Sequence, residues 1–133
     1  MNRKQVIEML LSVLGSFRLS ERFTKELIEI ITGSGYEERF LKLLIARLTT
    51  LTYNGVNAIR YKEFERINEV IFSMHISSRG FNIRVLYSFL KNGDPVLLLP
   101  FYEREGKKKT DYSTFIDPAE NRLSAFIKEQ EHE

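Results

Sequence analysis

The clearest alternation of apolar and polar side chains lies between residues 81 and 89. Apolar or aromatic residues there take every second position: Phe81, Ile83, Val85, Tyr87 and Phe89. The intervening residues are Asn82, Arg84, Leu86 and Ser88. A period of two is typical of a β-strand with one face in the core. The pattern therefore predicts a half-buried strand.

A turn signal follows this strand. Asn92 and Gly93 both tolerate positive φ, which the two central residues of a type I′ turn require. We therefore predict a β-hairpin whose second strand spans residues 96–102. A two-residue loop also fixes which residues of the two strands face each other. Near the turn Leu90 should lie opposite Pro95, and farther from it Arg84 should lie opposite Phe101.

Helical spacing dominates the first half of the chain. We predict a first helix capped by Asn2 and ended by Gly15, and a second helix that is capped by Ser20 and breaks at residues 33–35. A longer third helix ends at residues 54–55. Two of these helices form an antiparallel hairpin. Their apolar stripes comprise Val6, Leu10 and Val13, then Phe23, Leu27 and Ile31, then Phe40, Leu44, Leu48 and Leu51.

The rest of the chain completes an α+β pattern. We predict a connecting segment of mixed structure over residues 56–68. A strand follows, in which Val70, Phe72, Met74 and Ile76 alternate with other residues. A last helix is predicted to start at Asp117, Pro118 and Glu120, because these residues suit a cap and first turn. Its stripe is Leu123, Phe126 and Ile127. We expect one domain over residues 1–133: a small antiparallel sheet packed with the N-terminal helical hairpin and the C-terminal helix.

Charge is separated along the chain, although the net charge is only +2. Residues 77–111 contain seven cations and four carboxylates, whereas residues 117–133 contain two cations and five carboxylates. A polyanion is therefore attracted to the hairpin end and repelled by the tail. The absence of cysteine excludes disulfides and a thiol nucleophile, and two histidines argue against a zinc enzyme. We expect no metal and no cofactor.

Membrane and export signals are weak. The apolar run that begins after Arg3 and Lys4 resembles a leader, but Glu8 interrupts it and no small-residue cleavage site follows. No segment approaches the ~20 apolar residues of a membrane span. We expect a cytoplasmic protein without a membrane partner.

Two motifs resemble a known family. Ile83-Arg84-Val85-Leu86-Tyr87 and the basic loop of residues 106–112, GKKKTDY, are similar to the RelE/HigB-like toxins of type II toxin-antitoxin systems, in their phage-derived branch. The similarity covers residues 70–127. Family members place an arginine at the end of the preceding strand and usually open with a strand before the helical hairpin. Here His75 takes the arginine position, and only residues 16–19 are available for the first strand.

Two other features depart from the family. Pro100 lies inside the third predicted strand, which favours an edge or a kink because proline cannot donate to a ladder. Residues 1–14 have no counterpart in the resemblance, so the predicted first helix is an addition to the family fold.

The resemblance implies ribosome-dependent cleavage of messenger RNA. A ribose 2′-hydroxyl attacks the adjacent phosphate without a metal, and the protein supplies a base, cations for the phosphate and an acid. The partners implied are the ribosome, its mRNA and a cognate antitoxin. The candidate residues are Arg84 for the phosphate, Lys107, Lys108 and Lys109 as base, Tyr112 or Arg104 for the leaving group or a stacked base, His75 as proton exchanger, and Arg79 with Arg104 for RNA binding.

Other interpretations stay open. Arg84 fits a surface ion pair with Glu103, worth at most ~1 kcal/mol, and a triple lysine is often only a solvated loop. His75 also fits a polar strand face, and Tyr112 fits simple packing against the last helix. On the same fold, a non-catalytic ParE-like gyrase inhibitor or an inactive interaction module is the alternative function.

Overall fold

The fold is that of a computed structural model, which describes residues 1–103 and 111–131. The five strands of the described chain form one sheet in the order β1-β5-β4-β3-β2, antiparallel except for the parallel pair β1 and β5. The predicted α+β class is confirmed. In chain order the elements are α1 (Arg3–Leu14), β1 (Arg18–Leu19), α2 (Phe23–Ile31), α3 (Glu37–Asn54), a 3-10 helix (Gly55–Arg60), β2 (Phe64–Arg66), β3 (Phe72–Ser78), β4 (Phe81–Phe89), β5 (Pro95–Tyr102) and α4 (Ser113–Glu131).

Both faces of the sheet are covered. Helices α1, α2 and α3 pack on one face in a core that includes Leu10, Phe40 and Tyr87. Helix α4 packs on the opposite face, where Leu86 and Leu123 share a second cluster. The central strands are therefore buried on two sides, which explains why Leu86 and Ser88 are buried although the alternation assigned them to the polar face.

Helix α1 belongs to the main core. Asn2 and Gln5 form a reciprocal capping box, in which the Gln5 N–H donates to Asn2 Oδ1 (2.9 Å) and the Asn2 N–H donates to Gln5 Oε1 (3.0 Å). Val6, Leu10 and Leu14 are buried. The predicted first helix is confirmed, with Leu14 rather than Val13 as its third core residue.

The predicted cap of the second helix is wrong. Helix α2 begins at Phe23, whereas the Ser20 hydroxyl donates to the Leu98 carbonyl oxygen (2.7 Å). The Ser20 N–H donates to the Leu97 carbonyl oxygen (2.9 Å). Ser20 thus extends the pairing of β1 with β5, because the short parallel strand ends beside it. The two-residue β1 lies within the predicted segment 16–19.

The hairpin turn also differs from the prediction. Gly93 has φ +92°, but no non-glycine residue in the described chain has positive φ, so the turn is not type I′. The Leu90 N–H donates to the Asp94 carbonyl oxygen (2.9 Å) and closes a three-residue loop. Pro95 consequently pairs with Phe89 rather than with Leu90.

A β-bulge restores the register farther along the hairpin. Leu86 pairs with Leu99 and Tyr87 with Leu97, so Leu98 is an extra residue in β5. This extra residue offsets the longer loop, and Arg84 pairs with Phe101 as predicted. The correct pairing at Arg84 therefore results from two shifts that cancel.

Pro100 occupies a position that needs no N–H. The Glu103 N–H donates to the Asn82 carbonyl oxygen (2.8 Å), so the alternation of an antiparallel ladder directs the Pro100 nitrogen away from β4. On that side β1 pairs only with Val96 and Leu97. The predicted edge environment at Pro100 is confirmed.

The last helix starts earlier than predicted. Helix α4 begins at Ser113, and Asp111 Oδ1 accepts hydrogen bonds from the Ser113 N–H (3.0 Å) and hydroxyl (2.6 Å). Pro118 therefore lies inside the helix rather than at its start. The connector of residues 56–68 contains the 3-10 helix and the edge strand β2, which the sequence did not predict. Within the described ranges, no helix is both long and apolar enough to cross a bilayer.

Candidate functional site

Strands β3 and β4 bring His75 and Arg84 together. The two residues are directly opposite each other in the antiparallel pair, so their side chains lie on the same face of the sheet. Ser73 and Leu86 form the neighbouring pair, and Leu86 belongs to the cluster under α4. The polar residues therefore lie on the α4 face, beside the apolar part that the helix covers.

Arg84 lies between two carboxylates. Its Nε donates to Glu103 Oε2 (2.8 Å), and its Nη1 is 3.8 Å from Glu65 Oε1. The side chains of Arg84 and Glu103 are only 14% and 10% exposed. The predicted pair with Glu103 is confirmed, but the predicted surface setting is wrong, because both side chains are largely shielded from solvent.

The His75 imidazole shares the Glu103 carboxylate with Arg84. His75 Nε2 hydrogen-bonds to Asn82 Oδ1 and lies 3.7 Å from Glu103 Oε2. Its side chain is 27% exposed, more than either member of the ion pair. The backbone is held from the other side of the sheet, where Arg47 Nε donates to the His75 carbonyl oxygen (2.8 Å).

Tyr112 closes the cluster at the start of α4. Its hydroxyl donates to Glu65 and lies 3.2 Å from Ser73 Oγ, and its ring centroid is 6.0 Å from the Arg84 guanidinium carbon. Burial, followed by the hydrogen bond to Glu65, raises the pKa of Tyr112 to about 12. The phenol is therefore neutral at physiological pH and remains a donor. Its ring also packs edge-on against Phe101, so Tyr112 has a packing role as well.

The arrangement combines groups with complementary chemistry. A carboxylate and an imidazole that are 3.7 Å apart can act as base and acid in one reaction. A guanidinium and a neutral phenol beside them can donate hydrogen bonds to an anion. Among the described residues, no three His, Asp or Glu side chains form a group suited to a metal ion. We define the site cluster as Glu65, Ser73, His75, Asn82, Arg84, Glu103 and Tyr112.

Four members of the site cluster were not among the predicted site residues: Glu65, Ser73, Asn82 and Glu103. The period-two alternation of strands indicated three of them, because Ser73 lies two residues from His75, Asn82 two residues from Arg84 and Glu103 two residues from Phe101. Glu65 had no such signal, since β2 was not predicted.

The other predicted residues have different outcomes. Arg79 lies in the turn between β3 and β4, where its carbonyl oxygen accepts from Arg39 Nη1 (3.1 Å), and no described contact joins it to the site cluster. Arg104, Lys107, Lys108 and Lys109 lie outside the described residues. Comparison with known proteins gives no match, either to a family model or to a curated sequence.

Proposed function

We propose that this protein is a metal-independent endoribonuclease, the toxin of a type II toxin-antitoxin module that cuts messenger RNA on the ribosome. The juxtaposition of His75, Arg84 and Glu103 on one sheet face carries the proposal. Cleavage by a ribose 2′-hydroxyl needs a base, an acid and cationic stabilisation of the phosphate, and these three groups supply all of them. The ribosome, the antitoxin and a cytoplasmic location come from the motif resemblance at residues 83–87 and 106–112.

In the proposed reaction, the Glu103 carboxylate takes the proton of the 2′-hydroxyl while that oxygen attacks the adjacent phosphorus. The bond from phosphorus to the 5′-oxygen breaks, and protonated His75 gives its proton to the departing oxygen. The products are a 2′,3′-cyclic phosphate and a 5′-hydroxyl. Hydrogen bonds from Arg84, and from the neutral Tyr112 hydroxyl when it turns from Glu65 to the substrate, stabilise the charge on the phosphoryl oxygens.

The burial of the two carboxylates favours Glu103 as the base. Its side chain is 10% exposed, whereas that of Glu65 is 50% exposed and accepts the Tyr112 hydroxyl. Because Glu103 and the imidazole beside it are shielded, water weakens the electrostatic interactions of this carboxylate less. Lys107, Lys108 and Lys109 stay predicted contributors through the resemblance, as a second candidate base and as phosphate ligands.

Primer extension on a message in translating ribosomes tests this function, with the same RNA free of ribosomes beside it. We expect new 5′ ends within the reading frame that require the ribosome. His75→Gln and Glu103→Gln preserve shape and should each lower the cleavage rate by ~10²-fold or more. Lys128→Gln removes an exposed cation from α4 and should cut like the original protein. Full cleavage by folded His75→Gln and Glu103→Gln proteins would refute the assigned chemistry.

One observation favours the second candidate, a non-catalytic ParE-like inhibitor or interaction module. Arg84 already contacts Glu103 and Glu65, so the described site cluster has more formal negative than positive charge when His75 is neutral. Carboxylates already balance the positive charge of the arginine in such a site, so no phosphate is needed to neutralise it. Inhibition of DNA supercoiling by purified gyrase, without cleavage of any message, would support this candidate over the endoribonuclease.

A further inference from the structure

A second part of the chain is basic over a long stretch. Residues 39–62 contain five cations and no aspartate or glutamate: Arg39, Lys42, Arg47, Arg60 and Lys62. The stretch covers most of α3, the 3-10 helix and the approach to β2. It carries a charge of +5, whereas the whole chain carries +2. The rest of the chain therefore has a net charge of −3, and this stretch is a long basic segment without a carboxylate side chain.

Two of the three cations of α3 lie on its outer side, whereas Arg47 is half-buried and faces the sheet. Phe40, Leu44, Leu48 and Leu51 bury the opposite side of the helix. Arg39 and Lys42 are exposed, as is Tyr53, whose ring has 85% of its surface accessible. From Arg39 to Tyr53 the helix rises about 21 Å. A cation-lined surface with an exposed aromatic ring at its end suits a flexible polyanion that also has flat groups to stack.

The 3-10 helix adds a second aromatic group. The Arg60 guanidinium carbon lies 5.2 Å from the Tyr61 ring centroid, and Arg60 Nη2 donates to Asn54 Oδ1 (2.9 Å). Both Arg60 and Tyr61 are exposed. Exposed tyrosines that alternate with arginine and lysine are the combination with which proteins hold single-stranded nucleic acid, since phosphates pair with cations and bases stack on rings.

The basic surface adjoins the strand that carries His75. Arg47 Nε donates to the His75 carbonyl oxygen (2.8 Å), and Arg39 contacts Ser78 Oγ (3.2 Å) in the same strand. Strand β2 pairs with Phe72–Met74, and the Glu63 carbonyl oxygen accepts a hydrogen bond from the His75 N–H (2.7 Å), so pairing on this edge ends at His75. Helix α3 also packs against β3. A chain that leaves the site cluster around this edge reaches Arg47 first.

We propose that Arg39, Lys42, Arg47, Tyr53, Arg60 and Tyr61, the α3 basic surface, bind the single-stranded RNA that flanks the cleaved bond. The identity of this strand as substrate rests on the proposed function, whereas its binding does not. Glu38 and Glu63 lie at the two ends of the basic stretch and limit its length. Duplex RNA is a poorer ligand here, because its bases are stacked inside the helix and cannot reach Tyr53 or Tyr61.

The test measures binding of a fluorescent 2′-O-methyl single-stranded RNA, which cannot be cut by 2′-hydroxyl attack. The full chain is titrated at several salt concentrations. Lys42→Gln should reduce the slope of log K against log salt by about 0.7, the value for one phosphate contact with a single strand. Tyr53→Ala should weaken binding about tenfold, and Tyr53→Phe should restore it because the ring is retained. Lys128→Gln on α4 is the matched charge control and should change neither quantity.

The outcomes separate this surface from the proposed reaction. Strand binding that depends on Lys42 and Tyr53 supports the surface even if natural RNA stays intact, in which case only the proposed function fails. Unchanged binding and slope in Lys42→Gln and Tyr53→Ala, with cleavage intact, would overturn the surface alone. Equal binding of polyglutamate or duplex RNA, insensitive to Tyr53→Ala, would also overturn it, because the surface would then be a general polyanion or acidic-protein contact.

Discussion

Breaking the Arg84–Glu103 pair should destabilise the fold far more than breaking a surface salt bridge. Two opposite charges about 4 Å apart interact by ~4 kcal/mol at an effective dielectric constant of about 20, and loss of solvent offsets part of that attraction. A hydrogen bond to a charged group contributes about 1.5–3 kcal/mol net. Because Glu65 remains near Arg84 at 3.8 Å, we expect a coupling free energy of about 2 kcal/mol.

A double-mutant cycle measures this coupling directly. Urea unfolding is recorded for the original chain, Arg84→Met, Glu103→Leu and the double variant. The losses of unfolding free energy in the two single variants should sum to more than the loss in the double variant. Each single change leaves one shielded charge without its partner, whereas the double change removes both charges. The Arg47→Met, Glu103→Leu cycle is a control, since Arg47 contacts the His75 backbone instead. A coupling below about 0.5 kcal/mol for Arg84 and Glu103 would refute the shielded pair.

Three further predictions concern single residues. Tyr87→Phe should raise the unfolding free energy by about 1 kcal/mol, because the buried Tyr87 hydroxyl lacks a hydrogen-bond partner in the described structure; a loss of stability in urea would contradict it. Leu10→Ala should cost about 3 kcal/mol if α1 is part of the core, and no change would make α1 dispensable. The raised pKa of Tyr112 makes a stabilising contribution that is complete below pH 10 and lost as pH rises towards about 12. Ultraviolet titration should show one phenol ionising near 12 that Tyr112→Phe removes, and ionisation of all exposed and site tyrosines near 10 would contradict it.

The sequence predicted most elements because their apolar residues repeat with a clear period. The stripes of α2 and α3, and the alternation of β3 and β4, are all present in the fold. Short elements without a period were missed, above all β2, whose three residues are too few to show a period of two. Two predicted helix caps were wrong. The Ser20 side chain bonds to β5 instead, and Asp117 lies inside α4.

The site cluster was only partly predictable, because its contacts join residues from different strands. His75 and Arg84 were both predicted site residues, and the register of β3 and β4 places them opposite each other. Glu103 was considered only as the partner of Arg84, because its contact with His75 depends on three strands at once. The bulge at Leu98 shows the same limit: no local pattern indicates an extra residue that compensates for a longer turn.

The chemistry of the cut ends distinguishes attack by the ribose 2′-hydroxyl from other routes of RNA cleavage. A short message is cleaved in translating ribosomes, and both fragments are then analysed by mass spectrometry. We expect a 2′,3′-cyclic phosphate or its hydrolysed phosphate on the upstream fragment and a 5′-hydroxyl on the downstream fragment. We also expect 2′-deoxy substitution at the cleaved nucleotide to prevent the cut. A 5′-phosphate with a 3′-hydroxyl, cleavage at the 2′-deoxy position, or an intact message would contradict attack by the 2′-hydroxyl.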